Sequence, residues 1–232
     1  MPYFFFYLAI GLGVLDWIAV ARGWRRVSFA AKPGVIAALI LFCVVNGGLQ
    51  DTGAPGTALI WFIGGLLASM LGDILLMLPR EQFTGGLLAF LAAHVLYILG
   101  FNPLMPLVKH SVWVAALLVG LAVLAEAPFL QRIFSALARS GQNRLRLPLL
   151  AYNLALVLML VSALFTLLNE RWAAPNALAA ALGACLFFLS DSLLAWNRFV
   201  APLSNGHLKV RITYHLAQYL ITLGAALHFL KN

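Results

Sequence analysis

Residues 57–78 read TALIWFIGGLLASMLGDILLML. The stretch is long enough to cross the hydrocarbon of a bilayer as a helix, which takes about 20 apolar residues. It holds a single charge, Asp73. An amphipathic helix of a soluble protein would alternate an apolar stripe with a polar face; this segment has no polar face. Seven further stretches share its character: 3–21, 33–50, 84–101, 112–131, 148–168, 175–197 and 212–230. The expectation is an all-α polytopic membrane protein of eight transmembrane helices.

Composition agrees. Of 232 residues, 63% are hydrophobic and 9% charged, and the mean hydropathy is +0.97. Soluble proteins carry about 45–50% apolar and about 25% charged residues, so a water-solvated core does not account for this excess. The connections are short, which leaves one integral membrane domain over 1–232. The first residues, Met1-Pro2-Tyr3-Phe4, lack the basic region of a signal peptide and read as the start of a retained helix. Cys43 and Cys185 lie in apolar runs without metal-ligand spacing and read as small buried hydrophobes.

A formal charge of +8 invites a nucleic-acid reading, but its placement favours a membrane and no nucleic-acid partner. Arg22, Arg25, Arg26, Lys32, Arg80, Arg132, Arg139, Arg144, Arg146, Arg198, Lys209 and Arg211 fall in or beside the loops after helices one, three, five and seven. Only Lys109, Arg171 and Lys231 fall on the other side. Basic residues collect in cytoplasmic loops. The expected topology therefore puts the odd-numbered loops in the cytoplasm and both termini outside, in a bacterial inner membrane.

The chain also echoes itself. Gly72-Asp73-Ile74-Leu75-Leu76 in helix three matches Ser190-Asp191-Ser192-Leu193-Leu194 in helix seven. Phe90, His94 and Gly100 in helix four recur as Tyr214, Gln218 and Gly224 in helix eight. The spacing points to a tandem repeat of two four-helix halves, 1–110 and 111–232; the alternative is coincidence among low-complexity apolar segments.

Four acids lie inside the expected spans: Asp16, Asp73, Glu126 and Asp191. A carboxylate in the hydrocarbon is costly unless it faces a partner or a cavity. Each sits about five residues from the cytoplasmic end of its expected helix, roughly 7–8 Å in at 1.5 Å per residue. Tyr152, Asn153, Tyr214, His215, Gln218 and Tyr219 fall at a similar depth, His94 and Tyr97 deeper, and Lys32 at the rim of helix two. A shared depth argues for one polar pocket opening towards the cytoplasmic leaflet. Asp16 and Glu126 fit structural pairing with nearby arginines; Asp73 and Asp191 have no such ready explanation. No GxSxG, HExxH or GxxxxGK[ST] motif is present. Two carboxyl groups in one site supply general acid/base chemistry instead.

At these residues the chain resembles the YhhN/TMEM86 family of membrane lysoplasmalogenases. Gly72-Asp73-Ile74-Leu75-Leu76-Met77-Leu78-Pro79 is similar to the family's GDxxLMxP motif, and Phe83, Gly86, Phe90, Ala93-His94 and Tyr97 continue it. Ser190-Asp191-Ser192-Leu193-Leu194-Ala195 with Asn197-Arg198-Phe199 resembles the second acidic motif; Tyr214, Ala217-Gln218 and Leu220-Ile221 resemble the last helix. Lys32-Pro33 and Pro148 with Tyr152 fit the flanking helices.

The resemblance implies hydrolysis of the vinyl-ether bond of a lysoplasmalogen, a lysophospholipid substrate taken from the membrane. The products would be a fatty aldehyde and glycerophosphoethanolamine or glycerophosphocholine. Asp73 and Asp191 would be the catalytic acids, with no metal and no cofactor. Lys32 and the loop arginines would meet the phosphate, and Ser190 would place a hydroxyl beside Asp191. His94, Tyr97, Tyr152, Asn153, Tyr214 and Gln218 would hold water and glycerol oxygens. Intramembrane acids also mark proton pathways, so a lipid or solute transporter and a non-hydrolytic lipid sensor are the competing readings.

Overall fold

The computed structural model describes residues 3–47, 58–102 and 109–230, and among them every regular element is helical. In chain order these are α1 (Phe4–Arg22), α2 (Arg25–Val45), α3 (Ala58–Met77), α4 (Phe83–Phe101), α5 (Lys109–Arg139), α6 (Arg146–Phe165), α7 (Ala174–Ala195) and α8 (Gly206–Phe229). Six segments are long and apolar enough to cross a membrane: α1, α2, Leu59–Met77, α4, Asn143–Leu168 and Ala174–Val200. α5 and α8 fall outside that set. In α8 the reason is visible: Tyr214, His215, Gln218 and Tyr219 interrupt the apolar run, and all four are buried inside the bundle.

Successive helices pair as hairpins, α1 with α2, α3 with α4 and α7 with α8. α8 also touches α1, α2 and α3, while α4 and α7 both pack on α6. α8 is thus a central, polar-bearing helix and α1 a peripheral one; α1 buries only Ala9, Gly13, Asp16 and Ala19. Leu67, Leu71, Leu88, Val95, Leu154, Leu178 and Leu182 stand exposed on the outer faces of four helices. Large apolar side chains around the whole perimeter fit a lipid surface, where helices keep every backbone hydrogen bond internal. The protein is a multi-pass membrane protein.

Several element ends differ from the sequence expectation for one reason. Hydropathy drops where charged residues begin, but Arg, Lys, Gln and Ala are good helix formers and carry the helix past that point. α2 starts at Arg25 rather than 33, so Pro33 lies inside the helix and Lys32 two turns in, buried rather than at the rim. α8 starts at Gly206, which makes Lys209 and Arg211 helical. α5 continues through Pro128 to Arg139. Glu126 is therefore not near the end of its helix, as Asp73 and Asp191 are; it is buried. Cys43 is buried as expected, whereas Cys185 is exposed on the outside of α7.

Two glycines set close approaches at the α7–α8 hairpin. A Cβ on Gly183 would lie 2.7 Å from Ile221 N and 2.9 Å from Ala217 O; one on Gly224 would lie 2.6 Å from Asn176 O and 2.8 Å from Ala180 N. Backbone meets backbone there, so only glycine fits. After α7 the chain makes a π-helical turn, Trp196–Val200. Such turns are rare and shift the direction in which side chains leave a helix.

Candidate active site

The buried polar residues form three linked clusters. Near α1, Asp16 is fully buried and accepts from Ser28 Oγ at 2.6 Å and Arg211 Nη1 at 3.1 Å. His215 Nε2 lies 3.9 Å from Asp16 Oδ2, and its Nδ1 accepts from Trp17 Nε1 at 3.0 Å. This cluster ties α1, α2 and α8 together. Asp16 pairs with an arginine, in line with a structural role.

The second cluster is built on Asp73 of α3, also fully buried. Lys32 Nζ of α2 lies 2.5 Å from its Oδ1, and Tyr214 Oη of α8 donates to its Oδ2 at 2.8 Å. The Lys32 ammonium also sits 5.1 Å from the centre of the Tyr214 ring. Asp73 therefore has a full counter-charge within the protein, and Lys32 is engaged there. Two buried ions survive because each is the other's partner.

The third cluster is built on Asp191 of α7. Tyr152 Oη of α6 donates to Asp191 Oδ2 at 2.5 Å, and His94 Nε2 of α4 lies 3.7 Å from the same oxygen. Among the described residues no lysine or arginine forms an ion pair with Asp191, and neither ring nitrogen of His94 has a hydrogen-bond partner. The His94 ring packs edge-on against Tyr152 and Phe187, and Phe187 also packs against Tyr214. Phe187 thus packs on both clusters, against His94 of the Asp191 cluster and Tyr214 of the Asp73 cluster, with Phe90 beside it. The two carboxyls have separate hydrogen-bond partners.

The third cluster borders a cavity. A cleft with a cavity volume of about 60 Å³ lies between α3, α4, α5, α6 and α7. Its walls are apolar, with Leu76, Leu87, Phe90, Phe129, Ile133 and Leu156 among them. Tyr152, Asn153, Asp191 and Ser192 form a polar patch, and Arg198 and Phe199 of the π-helical turn also line it. Asp73 does not line it but sits one turn before Leu76, which does. Lys32, His94, Tyr97, Ser190, Tyr214 and Gln218 stand behind the wall. Of these, Tyr97 Oη donates to Gln218 Oε1 at 2.7 Å, and Ser190 Oγ turns away from Asp191 to donate to Val210 O at 3.1 Å.

Arg198 and Glu81 were not singled out as site residues by sequence. Arg198 Nη1 donates to Glu81 Oε1 at 2.6 Å, linking the end of α7 to the α3–α4 turn. The signal available was Arg198 inside the second acidic motif; for Glu81 nothing local marks it.

No solved structure matches this chain. Curated relatives do. A lysoplasmalogenase TMEM86B of Homo sapiens is 38% identical over 164 residues, covering 70% of this chain and 62% of that protein. The TMEM86B lysoplasmalogenase of Rattus norvegicus is 31% identical over 224 residues, covering 95% and 82% respectively. A lysoplasmalogenase of Mycobacterium tuberculosis is 35% identical over 168 residues, covering 71% and 59%. The chain thus spans about 62% of the length of the human relative. The YhhN family model matches residues 27–225, which takes in all three clusters except Asp16 and Trp17, and the chain belongs to the YhhN family.

Proposed function

We propose that this protein is a lysoplasmalogenase that hydrolyses the vinyl-ether bond of a lysophospholipid, with Asp191 as proton donor. The observation that carries the reading is an acid without a counter-cation on the wall of an apolar cleft. The names of the relatives support it.

The chemistry follows from the substrate. Asp191 gives its proton to the outer alkene carbon; the carbon–carbon double bond becomes a single bond and the adjoining carbon an oxocarbenium ion. Water adds to that carbon, and its proton returns to Asp191. The hemiacetal then breaks its carbon–oxygen bond to release aldehyde and the glycerophospho-alcohol, so one water is consumed and the enzyme is restored. A cation forming in a dry site needs a fixed negative charge nearby. The Asp191 carboxylate left by the proton transfer supplies it, and the Asp73–Lys32 ion pair, fixed by Tyr214, adds an oriented dipole from off the cleft. His94, free at both ring nitrogens and facing Asp191, positions the water; Tyr152 fixes the Asp191 carboxyl; Asn153 offers an amide to the glycerol oxygens. No metal or cofactor enters this scheme.

Purified Asp191→Asn and Asp73→Asn proteins test it by aldehyde release from a lysoplasmalogen. Both should fall at least ~100-fold, the usual scale for losing a general acid or a preorganised charge. Wild-type turnover in Asp191→Asn would end the proposal, and no aldehyde from the wild type, with proton-coupled lipid movement in sealed vesicles, would favour a transporter.

In the same reading all eight helices cross the bilayer of a bacterial inner membrane, with both termini outside and the cleft facing the cytoplasmic leaflet. The two-half repeat draws support from matching close approaches. Gly65 faces Tyr97 as Gly183 faces Ile221, and Gly100 faces Phe62 as Gly224 faces Ala180. The α3 and α7 members of these pairs are 118 residues apart, like Asp73 and Asp191, and the α4 and α8 members 124 apart, like Phe90 and Tyr214.

A further inference from the structure

We propose that Arg198 and Glu81 form a two-point receptor for a zwitterionic lipid headgroup, Arg198 taking the phosphate and Glu81 the ammonium. The inference rests on the lysolipid reading of the cleft and adds the residues that select its headgroup.

Among the described residues, Arg198 is the only basic one on the cleft lining, as Asp191 is the only acidic one. They lie seven residues apart on one continuous helical run, roughly 10 Å along the axis. A glycerol backbone and the reach of the two side chains cover that interval, so a phosphate at Arg198 leaves the ether end of the same molecule at Asp191. The π-helical turn carries Arg198 to this position. Asn197 pins the turn by accepting from Leu203 N at 2.8 Å, with Gly206 packed against its amide.

The guanidinium is preorganised. It lies 4.0 Å from the centre of the Phe83 ring and 5.8 Å from that of Phe199. One nitrogen is committed to Glu81, and a guanidinium has five N–H donors in a planar fork suited to phosphate. Its side chain is 34% exposed and that of Glu81 40%. An ion pair this open contributes little to stability, so a ligand rearranges it cheaply. The pair presents a positive and a negative group side by side at 2.6 Å, complementary to a phosphate and an ammonium linked by two carbons. Lys32, the other candidate phosphate ligand, is buried against Asp73 and off the cleft.

The test uses binding as well as turnover. Saturated 1-O-alkyl lysolipids have no alkene to protonate, so titrating them into purified protein in detergent reads headgroup recognition alone. Four probes suffice: phosphoethanolamine, phosphocholine and phosphate headgroups, and a bare alkylglycerol. Arg198→Ala should weaken all three phosphorylated probes ~10-fold or more, the scale of a charge-assisted hydrogen bond, and leave alkylglycerol unchanged. Glu81→Gln should weaken only the two zwitterionic probes. The swapped double variant Glu81→Arg/Arg198→Glu keeps an ion pair, so it should keep the melting temperature while losing the preference for phosphorylated probes. Equal losses on alkylglycerol, or no change in any variant, would overturn the proposal. A wild type that shows this binding pattern but releases no aldehyde would retire the hydrolase reading and leave the receptor standing.

Discussion

Asp16, Asp73 and Asp191 have different partners, and that difference decides what each can do. Asp16 meets an arginine and a serine, Asp73 a lysine and a tyrosine, Asp191 a tyrosine and a neutral-facing histidine. A proton donor must keep its proton until substrate arrives, and of the three only Asp191 lacks a cation holding it ionised. Tyr152→Phe removes the hydroxyl that fixes the Asp191 carboxyl and should lower kcat about tenfold, as expected for one hydrogen bond to such a group; steady-state aldehyde release measures it. Lys32→Met strands a buried carboxylate and should cost ~3–5 kcal/mol of stability, whereas adding Asp73→Asn to it should recover much of the loss, because breaking a buried pair costs more than replacing both partners. Chemical unfolding in detergent of the two single variants and the double gives the coupling. An additive double would mean that Lys32 and Asp73 act separately.

The elements that bring these residues together are hairpins with tight seams. Gly183 and Gly224 let α8 approach α7 closely enough to present Tyr214 and Gln218 to the bundle interior. Gly183→Ala should cost about 1–3 kcal/mol, the usual range for overpacking a close-packed site. Gly11→Ala, on a helix face where a Cβ meets nothing within 4 Å, should be neutral or slightly stabilising. Thermal unfolding compares the two. Helix pairs were legible from hydropathy and repeat spacing. The helix ends were not, because charged turns such as Arg25–Lys32 look like loop until packing shows them to be helix.

For the molecule as a whole, the proposed orientation rests on the distribution of basic residues. A cysteine at Ser140, in the exposed α5–α6 connection, should react with a membrane-impermeant thiol reagent only from the cytoplasmic side; one at Glu170, exposed between α6 and α7, should react from outside in intact cells. The reverse pattern would invert the topology and move the cleft to the other leaflet.

Sequence alone determined that the chain lives in a membrane, because 63% apolar residues in helix-long runs leave no other solvent. It also determined the family and put forward Asp73 and Asp191 as candidate acids, because GDxxLMxP and its later echo are local patterns that need no folding to be read. Grouping was another matter. Lys32, Asp73 and Tyr214 lie on three helices, and His94, Tyr152 and Asp191 on three others. A shared depth says nothing about which neighbour each side chain faces around a helix, and the structure gives Asp73 and Asp191 separate partners with Phe187 packed on both sets. Only the tertiary structure decided that Asp191 borders the cleft, that Lys32 is spent on Asp73, and that Glu81 meets Arg198 across 117 residues. Those are long-range contacts, set by how the helices rotate and pack against one another, and no local pattern encodes them.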